Sequence, residues 1–372
     1  VTCDVFALAN VGVQGLHPYQ AGKPIEELQR ELGLASVVKL ASNENPLGPS
    51  PIAMVAAQAS LKQSHLYPDA SGFELKKKLA VKLGVGENQF TLGNGSNDVL
   101  DLIARTFLSA GSSAVFSQYA FIVYPIAVQA VGARAIVTPA KDWGHDLDAM
   151  TAAIEPDTKV VFIANPNNPT GNYLNRDALS AFLAKVPEHV IVVLDEAYVE
   201  YAGVDDFPDG LTFLDDYPNV IVTRTFSKAY GLAGLRIGYG VSSPQIADLL
   251  NRVRAPFNVS IPAMSAALAV LDDHDYLARS QQTNNAGMRQ LRAGFDALGL
   301  SYIPSVGNFV AMELPCDAMP VYQALLREGV IVRPVGVYQM PKHLRISIGL
   351  EHENARFLAA LQKLISEGCF DQ

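Results

Sequence analysis

Cysteine is scarce in this 372-residue chain: Cys3, Cys316 and Cys369 lie far apart and are odd in number. They make no Cys-x-x-Cys pair and no even-numbered framework, so a secreted disulfide scaffold is excluded and a reducing cytosol is the simplest home. No metal site is expected. Basic residues are also in deficit, 28 Lys and Arg against 37 Asp and Glu, for a formal net charge of −9. A broad nucleic-acid or anionic-membrane surface needs clustered cations and is not expected here, although a small cationic pocket is compatible with this balance. Apolar runs are too short for the roughly 18 residues that span a bilayer. Residues 1–15 lack a basic segment followed by an apolar one, so no secretory leader is expected. Internal repeats and low-complexity tracts are missing as well. These deficits together lead to the expectation of a cytoplasmic protein with small-molecule partners, no nucleic acid and no membrane.

What is present is apolar bulk, 49% hydrophobic against 17% charged residues. That composition belongs to well-buried α/β or α+β proteins, and the length suits two domains or a large one with a small one. Residues 1–50 are rich in turn formers and end in Ser42-Asn43-Glu44-Asn45-Pro46-Leu47-Gly48-Pro49, which reads as an arm and not a packed element. Between about 90 and 245, short β-branched runs at 114–117, 134–138, 159–164, 190–194, 220–225 and 235–241 alternate with helical stretches. Near-continuous apolar strands separated by helices predict a mostly parallel sheet buried on both faces. In such sheets ligands bind beyond the carboxyl ends of the strands. A helix-rich stretch at 244–299 leads into a smaller α/β pattern. Its expected strands are 309–314, 330–333 and 344–348, and its expected helices 321–328 and 351–367.

Four segments at strand ends could carry chemistry. Asp195 ends the run 190–194 and is followed three residues later by Tyr198. It could hold a protonated heteroaromatic nitrogen, or simply cap the next helix. The run 220–225 enters Thr225-Phe226-Ser227-Lys228, with Arg236 eight residues beyond the lysine. A lysine whose amine is deprotonated by burial or nearby cations forms Schiff bases, and the hydroxyls with Arg236 could hold a phosphate; a solvated lysine in a glycine-rich turn is the plainer alternative. Asn165-Pro166-Asn167-Asn168-Pro169 is either an ordinary turn or a rigid loop that aims an amide at a ligand. Gly93-Asn94-Gly95-Ser96-Asn97 opens an amphipathic helical pattern, where free backbone N–H groups suit one phosphate. It lacks both the third glycine of a dinucleotide fingerprint and the Gly-Lys-Ser/Thr of a P-loop. Jointly, these segments supply an amine, a pyridinium partner, a phenol partner and a phosphate cup, the needs of pyridoxal 5′-phosphate.

With those residues in view, the sequence resembles the class I/II aminotransferases of pyridoxal-phosphate fold type I, and among them the histidinol-phosphate aminotransferase family. The resemblance covers nearly the whole chain. It is carried by 40–49, Tyr67-Pro68-Asp69, Gly93-Asn94-Gly95-Ser96, 165–171, Asp195-Glu196-Ala197-Tyr198, 225–240 and 344–349. It implies a large domain with a mostly parallel seven-stranded sheet flanked by helices, over about 46–275. A smaller α/β domain at 276–372 and an N-terminal arm at 1–45 packed against it would complete the chain. It implies Lys228 as the lysine bonded to the cofactor and as proton shuttle, and Asp195 at the ring nitrogen. Asn168 and Tyr198 would sit at the ring oxygen, with Tyr119 stacked on the ring. Gly95, Ser96, Asn97, Thr225, Ser227 and Arg236 would lie around the cofactor phosphate, joined by Tyr67 from the second subunit of a homodimer. Arg345 would grip the carboxylate of glutamate, and Tyr19, Asn43, Asn308 and Arg333 the phosphorylated substrate. Leu66, where the family often has Arg, and Asn97, where many relatives carry Asp, are departures. The implied reaction is transamination between L-histidinol phosphate and 2-oxoglutarate in histidine biosynthesis. Alternatives on the same fold are an aromatic amino-acid aminotransferase and a threonine-phosphate-type decarboxylase. A DNA-binding regulator built on this fold would need more than the 40 or so residues before the first motif, and a basic stretch.

Overall fold

The computed structural model describes residues 3–18 and 22–370. Its centre is a seven-stranded sheet. The strands are β1 (Phe90–Gly93), β2 (Ser113–Ser117), β3 (Arg134–Thr138), β4 (Thr158–Ala164), β5 (Ile191–Asp195), β6 (Val220–Thr225) and β7 (Gly238–Ser242). Their spatial order is β1-β7-β6-β5-β4-β2-β3. β7 runs antiparallel to both neighbours, and β2, β3, β4, β5 and β6 pair in parallel. Val160 to Ala164, Val192 to Asp195 and all of β6 are buried, as expected for parallel strands covered by helices on both faces. One helical layer packs Val99, Leu100 and Ile103 of α1 (Ser96–Phe107) and Tyr124 and Val128 of α2 (Val123–Ala130) on one face. The other face carries a larger cluster that includes Leu79, Phe182, Phe213 and Ala266.

The strand expected at 235–241 starts three residues late, because Ala233–Leu235 is a 3₁₀ turn that delivers Arg236. β1, which has no β-branched run, was not among the expected strands. The run 330–333 is not one strand: Val330–Ile331 pairs with Val38–Lys39, while Arg333–Pro334 joins Tyr302–Ile303, Phe309–Glu313 and His343–Ser347 in a four-stranded antiparallel sheet. The reading of 1–50 as an unpacked arm is corrected in its second half. Ile25–Leu32 is a helix whose Leu28 is buried with Ala41, Leu326 and Ile331, and Val38 and Leu40 join the core behind the second sheet. The reason is long-range pairing: the partners lie nearly 300 residues downstream, beyond any local pattern.

The 24-residue helix α3 (His274–Ala297) belongs to both units, with Tyr276 in the central core and Met288, Leu291 and Phe295 in the second. The expected division at 275/276 falls in its first turn. Among the described residues, no helix is long and apolar enough to cross a membrane.

Behind β5, on the side away from the site described below, a buried ion pair ties β5 to β6. Arg224 donates to Glu196 Oε2 through Nε at 3.0 Å and Nη2 at 2.7 Å, and to Asp209 at 2.6 Å. Glu196 Oε1 accepts from Gly210 N at 2.7 Å. Removing one partner of such a pair leaves a buried charge uncompensated. Arg224→Met should therefore lower the unfolding free energy by about 3–5 kcal/mol in urea titration, and Arg224→Met/Glu196→Gln should recover a large part of it. A loss under about 1 kcal/mol in the single variant would contradict the pair's structural role.

Candidate active site

The carboxyl ends of β4, β5 and β6 border a cavity of about 280 Å³ that the second sheet closes with Arg333 and Arg345. Asp195, the last residue of β5, is 4% exposed. Its Oδ1 accepts from Thr223 Oγ1 at 2.9 Å and its Oδ2 from the Tyr124 hydroxyl at 2.8 Å. Burial raises its proton affinity and these donors lower it. Asp195 is not a helix cap, because the next helical turn, Val199–Tyr201, starts from Tyr198 with no side-chain cap; the Ala197 N–H joins the hydroxyls in favouring its charge.

Lys228 follows β6 by three residues, and its Nζ donates to Ser42 O at 3.2 Å. Burial, and then the cations Arg345 and Arg236, push its amine down to about 8, opposed by Glu44. A lysine in this state is about one tenth neutral near pH 7 and can act as nucleophile and base. Its Nζ lies 5.6 Å from the centre of the Tyr198 ring. Tyr198 accepts a hydrogen bond from Asn43 Nδ2 at 3.0 Å, and burial pushes its phenol up to about 12.

A second corner is cationic and rich in donors. Gly95, at φ +84°, precedes α1, and a Cβ there would stand 2.4 Å from Arg236 Nη2. Only glycine permits that approach. Arg236 is itself left-handed at φ +57° and donates to Ser227 Oγ at 3.3 Å and Ala233 O at 3.0 Å. Ser96, Asn97, Thr225 and Ser227 line the cavity here, with the free amides of the α1 N-terminus alongside. This is an anion cup.

On the facing wall, Arg345 donates to Asn168 Oδ1 at 2.6 Å and Ala41 O at 2.7 Å, and its guanidinium lies 5.5 Å from the Phe309 ring centre. Arg333 is its cross-strand neighbour. Asn43, at φ +54°, is fixed by Ser347 on both its N–H and its side chain. Asn308 stands behind it, donating to Asn43 O at 3.0 Å and not lining the cavity. Tyr119 also lies outside the lining. Its ring packs against Trp143 with centroids 5.2 Å apart, while Phe121 reaches the cavity. Tyr67 is 81% exposed and stacks on Phe257 at 4.6 Å. Tyr19 lies outside the described residues. Tyr124, Thr223, Phe121 and Ser42 were not singled out from the sequence. A signal existed for Thr223, which is two residues before Thr225 in a strand and so shares its face.

The residues fit pyridoxal 5′-phosphate: an amine near 8 for the aldehyde, a buried carboxylate for the ring nitrogen, and a glycine-opened anion cup for the phosphate. Among the described residues, no cluster of His, Cys, Asp and Glu could hold a metal ion.

Fold and site are those of an aminotransferase. The family model "Aminotransferase class I and II" matches residues 35–361. The chain is 62% identical over 365 residues to histidinol-phosphate aminotransferase 2 of Pseudomonas aeruginosa, covering 98% of this chain and 99% of that protein. It is 56% identical to histidinol-phosphate aminotransferase 1 of Nitrosococcus oceani, over 97% and 98% of the two chains. The crystal structure of the Sinorhizobium meliloti histidinol-phosphate aminotransferase in complex with pyridoxal 5′-phosphate superposes with a TM-score of 0.89 at 32% identity, covering 96% of this chain and 97% of that one. The chain belongs to the class I and II aminotransferases, pyridoxal-phosphate enzymes of fold type I, and within them to the histidinol-phosphate aminotransferase family.

The depressed Lys228 amine links to stability. Unfolded, a lysine titrates near 10.4, so between about 8 and about 10.4 the unfolded chain binds more protons and stability rises with pH. Below that window the whole cost of holding the buried cation is present. In cofactor-free protein, Lys228→Met should be more stable than the parent by up to about 3 kcal/mol near pH 7, with the gain shrinking towards pH 10. Urea titrations at the two pH values check this; a pH-independent difference would contradict it.

Proposed function

We propose that this enzyme moves an amino group between L-histidinol phosphate and 2-oxoglutarate, giving imidazole-acetol phosphate and glutamate. The observation that carries the reading is the convergence of Lys228, Asp195, the anion cup at Gly95–Arg236, and the facing pair Arg333 and Arg345 on one cavity. When bound, pyridoxal 5′-phosphate supplies a carbonyl for the substrate amine and an electron-accepting ring.

The chain's own residues then divide the work. Gly95, Ser96, Asn97, Thr225, Ser227 and Arg236 hold the cofactor phosphate. Asp195 holds the proton of the ring nitrogen. Asn168 and Tyr198 border the ring oxygen; Tyr119 would stack on the ring only after leaving its packing on Trp143. With the cofactor bound, Lys228 would hold its aldehyde carbon and would serve as the base and acid for the substrate's Cα proton, within the cavity it lines. Its amine near 8 suits both directions. Arg345 offers a planar fork to the carboxylate of glutamate. Arg333 and Asn43, which line the cavity, receive the phosphate of the other substrate, with Asn308 supporting Asn43 from behind; Tyr19 is assigned to the same substrate. Two anion sites in an acidic protein match a pair of substrates that each carry an anionic tail.

A homodimer belongs to the same proposal, with Tyr67 completing the partner's site. Tyr67 and Leu66 are more than half exposed, and Tyr67 stacks on the partly exposed Phe257, exposed apolar side chains of the kind that mark interfaces. A cytoplasmic location, consistent with three unpaired cysteines, completes the reading.

The test is the absorption spectrum of the pyridoxal-phosphate-loaded protein during titration. Low L-histidinol phosphate should convert the lysine-bonded chromophore to the aminated form, with phenylalanine requiring far more. Comparable conversion by phenylalanine would instead make it a broad aromatic aminotransferase, and conversion by neither would overturn the reading. Lys228→Ala should retain bound cofactor and lose multiple turnover; sustained turnover by that variant would remove Lys228 from its role.

A further inference from the structure

We propose that Tyr124 and Thr223 are positioning residues: they hold Asp195 as an ionised carboxylate and, through it, keep the proton on the ring nitrogen of the bound cofactor. This deepens the pyridoxal reading of the site and rests on it.

The geometry is specific. Asp195 is enclosed at the end of a buried strand, where desolvation favours the neutral acid. A neutral Asp195 would have taken the proton that the ring needs. Two side-chain hydroxyls from different elements, joined by the Ala197 backbone N–H, oppose this: Thr223 Oγ1, from the neighbouring strand β6, donates to Oδ1, and the Tyr124 hydroxyl, from helix α2, donates to Oδ2. Each donor stabilises the charged carboxylate and lowers its proton affinity.

Neither hydroxyl is placed by accident of exposure. Thr223 and Tyr124 are both fully buried. The Tyr124 ring is stacked on Phe162 at 4.8 Å and 14°, and meets Phe121 edge-on at 5.9 Å. That clamp fixes the hydroxyl on Asp195. Burial and the Asp195 charge both hold the Tyr124 phenol well above its ordinary range, so it stays protonated and remains a donor. The other ionisable groups that border this space are Glu44 of the N-terminal segment, Tyr198 after β5, Lys228 and Arg236 after β6, and Arg333, Tyr338 and Arg345 of the second unit.

The experiment uses the holoenzyme. Wild type, Tyr124→Phe, Thr223→Val, the double variant and Thr223→Ser are loaded with pyridoxal phosphate labelled with ¹⁵N in the ring, and the nitrogen resonance is read at neutral pH. Both disruptive changes keep the side-chain outline, so folding is checked by circular dichroism and by the lysine-bonded chromophore. The wild-type signal should lie at the protonated-pyridine position. Each lost hydroxyl should shift the proton balance towards Asp195 by about tenfold, moving the resonance towards the unprotonated position, most in the double variant. kcat should fall with it while KM for the amino donor holds, and Thr223→Ser should restore the wild-type signal. A protonated-position signal in both single variants and in any double variant that loads would overturn the proposal and leave the two hydroxyls as core packing. A wild type that takes up no cofactor would instead overturn the pyridoxal reading itself, which separates the two failures.

Discussion

A carboxylate at the buried end of β5 sets the terms for the rest of the site. Asp195 and Lys228 both leave water, and burial pushes each towards its neutral form. What differs is the company. Donors from Tyr124 and Thr223 gather on Asp195 and favour its charge. Around Lys228 stand Arg345 and Arg236, which favour loss of its proton, with only Glu44 in opposition. The same desolvation raises the proton affinity of one group and lowers that of the other, and the neighbours then oppose it at Asp195 and reinforce it at Lys228.

The sheet explains why these groups can meet. Parallel strands buried on both faces allow polar chemistry only past their carboxyl ends, and β4, β5 and β6 end side by side. Asp195 comes from β5, Lys228 from the loop after β6, and the Asn-Pro loop from the end of β4. The second sheet then supplies what the first lacks, a wall of guanidinium. Arg345 is held by Asn168 of the large unit and by Ala41 O of the N-terminal segment. Asn43 bridges Tyr198 to Ser347. These bonds join three stretches of chain around one cavity, so substrate recognition and the reacting centre share a frame.

Much of this was legible in the sequence, for identifiable reasons. β3 and β6 follow directly from dense β-branched runs, and Lys228, Asp195 and Arg236 stand out through their spacing after strand ends. Phe90–Gly93 does not, because its antiparallel partner 238–242 lies far away and its own residues carry a single β-branched side chain. The split at Val332 is invisible for a similar reason: one apolar run serves two sheets. At the site, motif reading favours residues with reactive groups. Tyr124 and Phe121 belong to no motif, and only the three-dimensional course of α2 after β2 shows that one reaches Asp195 and the other the cavity. Tyr119, in contrast, turns to Trp143, on the tight hairpin at 140–145.

The account's central claim is that Lys228 is the amine to which the cofactor is bonded. Reduction of the pyridoxal-phosphate-loaded protein with borohydride, followed by proteolysis and mass mapping, tests it most directly. The account predicts a stable phosphopyridoxyl adduct on the peptide containing Lys228, at one equivalent per chain. An adduct on another lysine, with Lys228 unmodified, would contradict it.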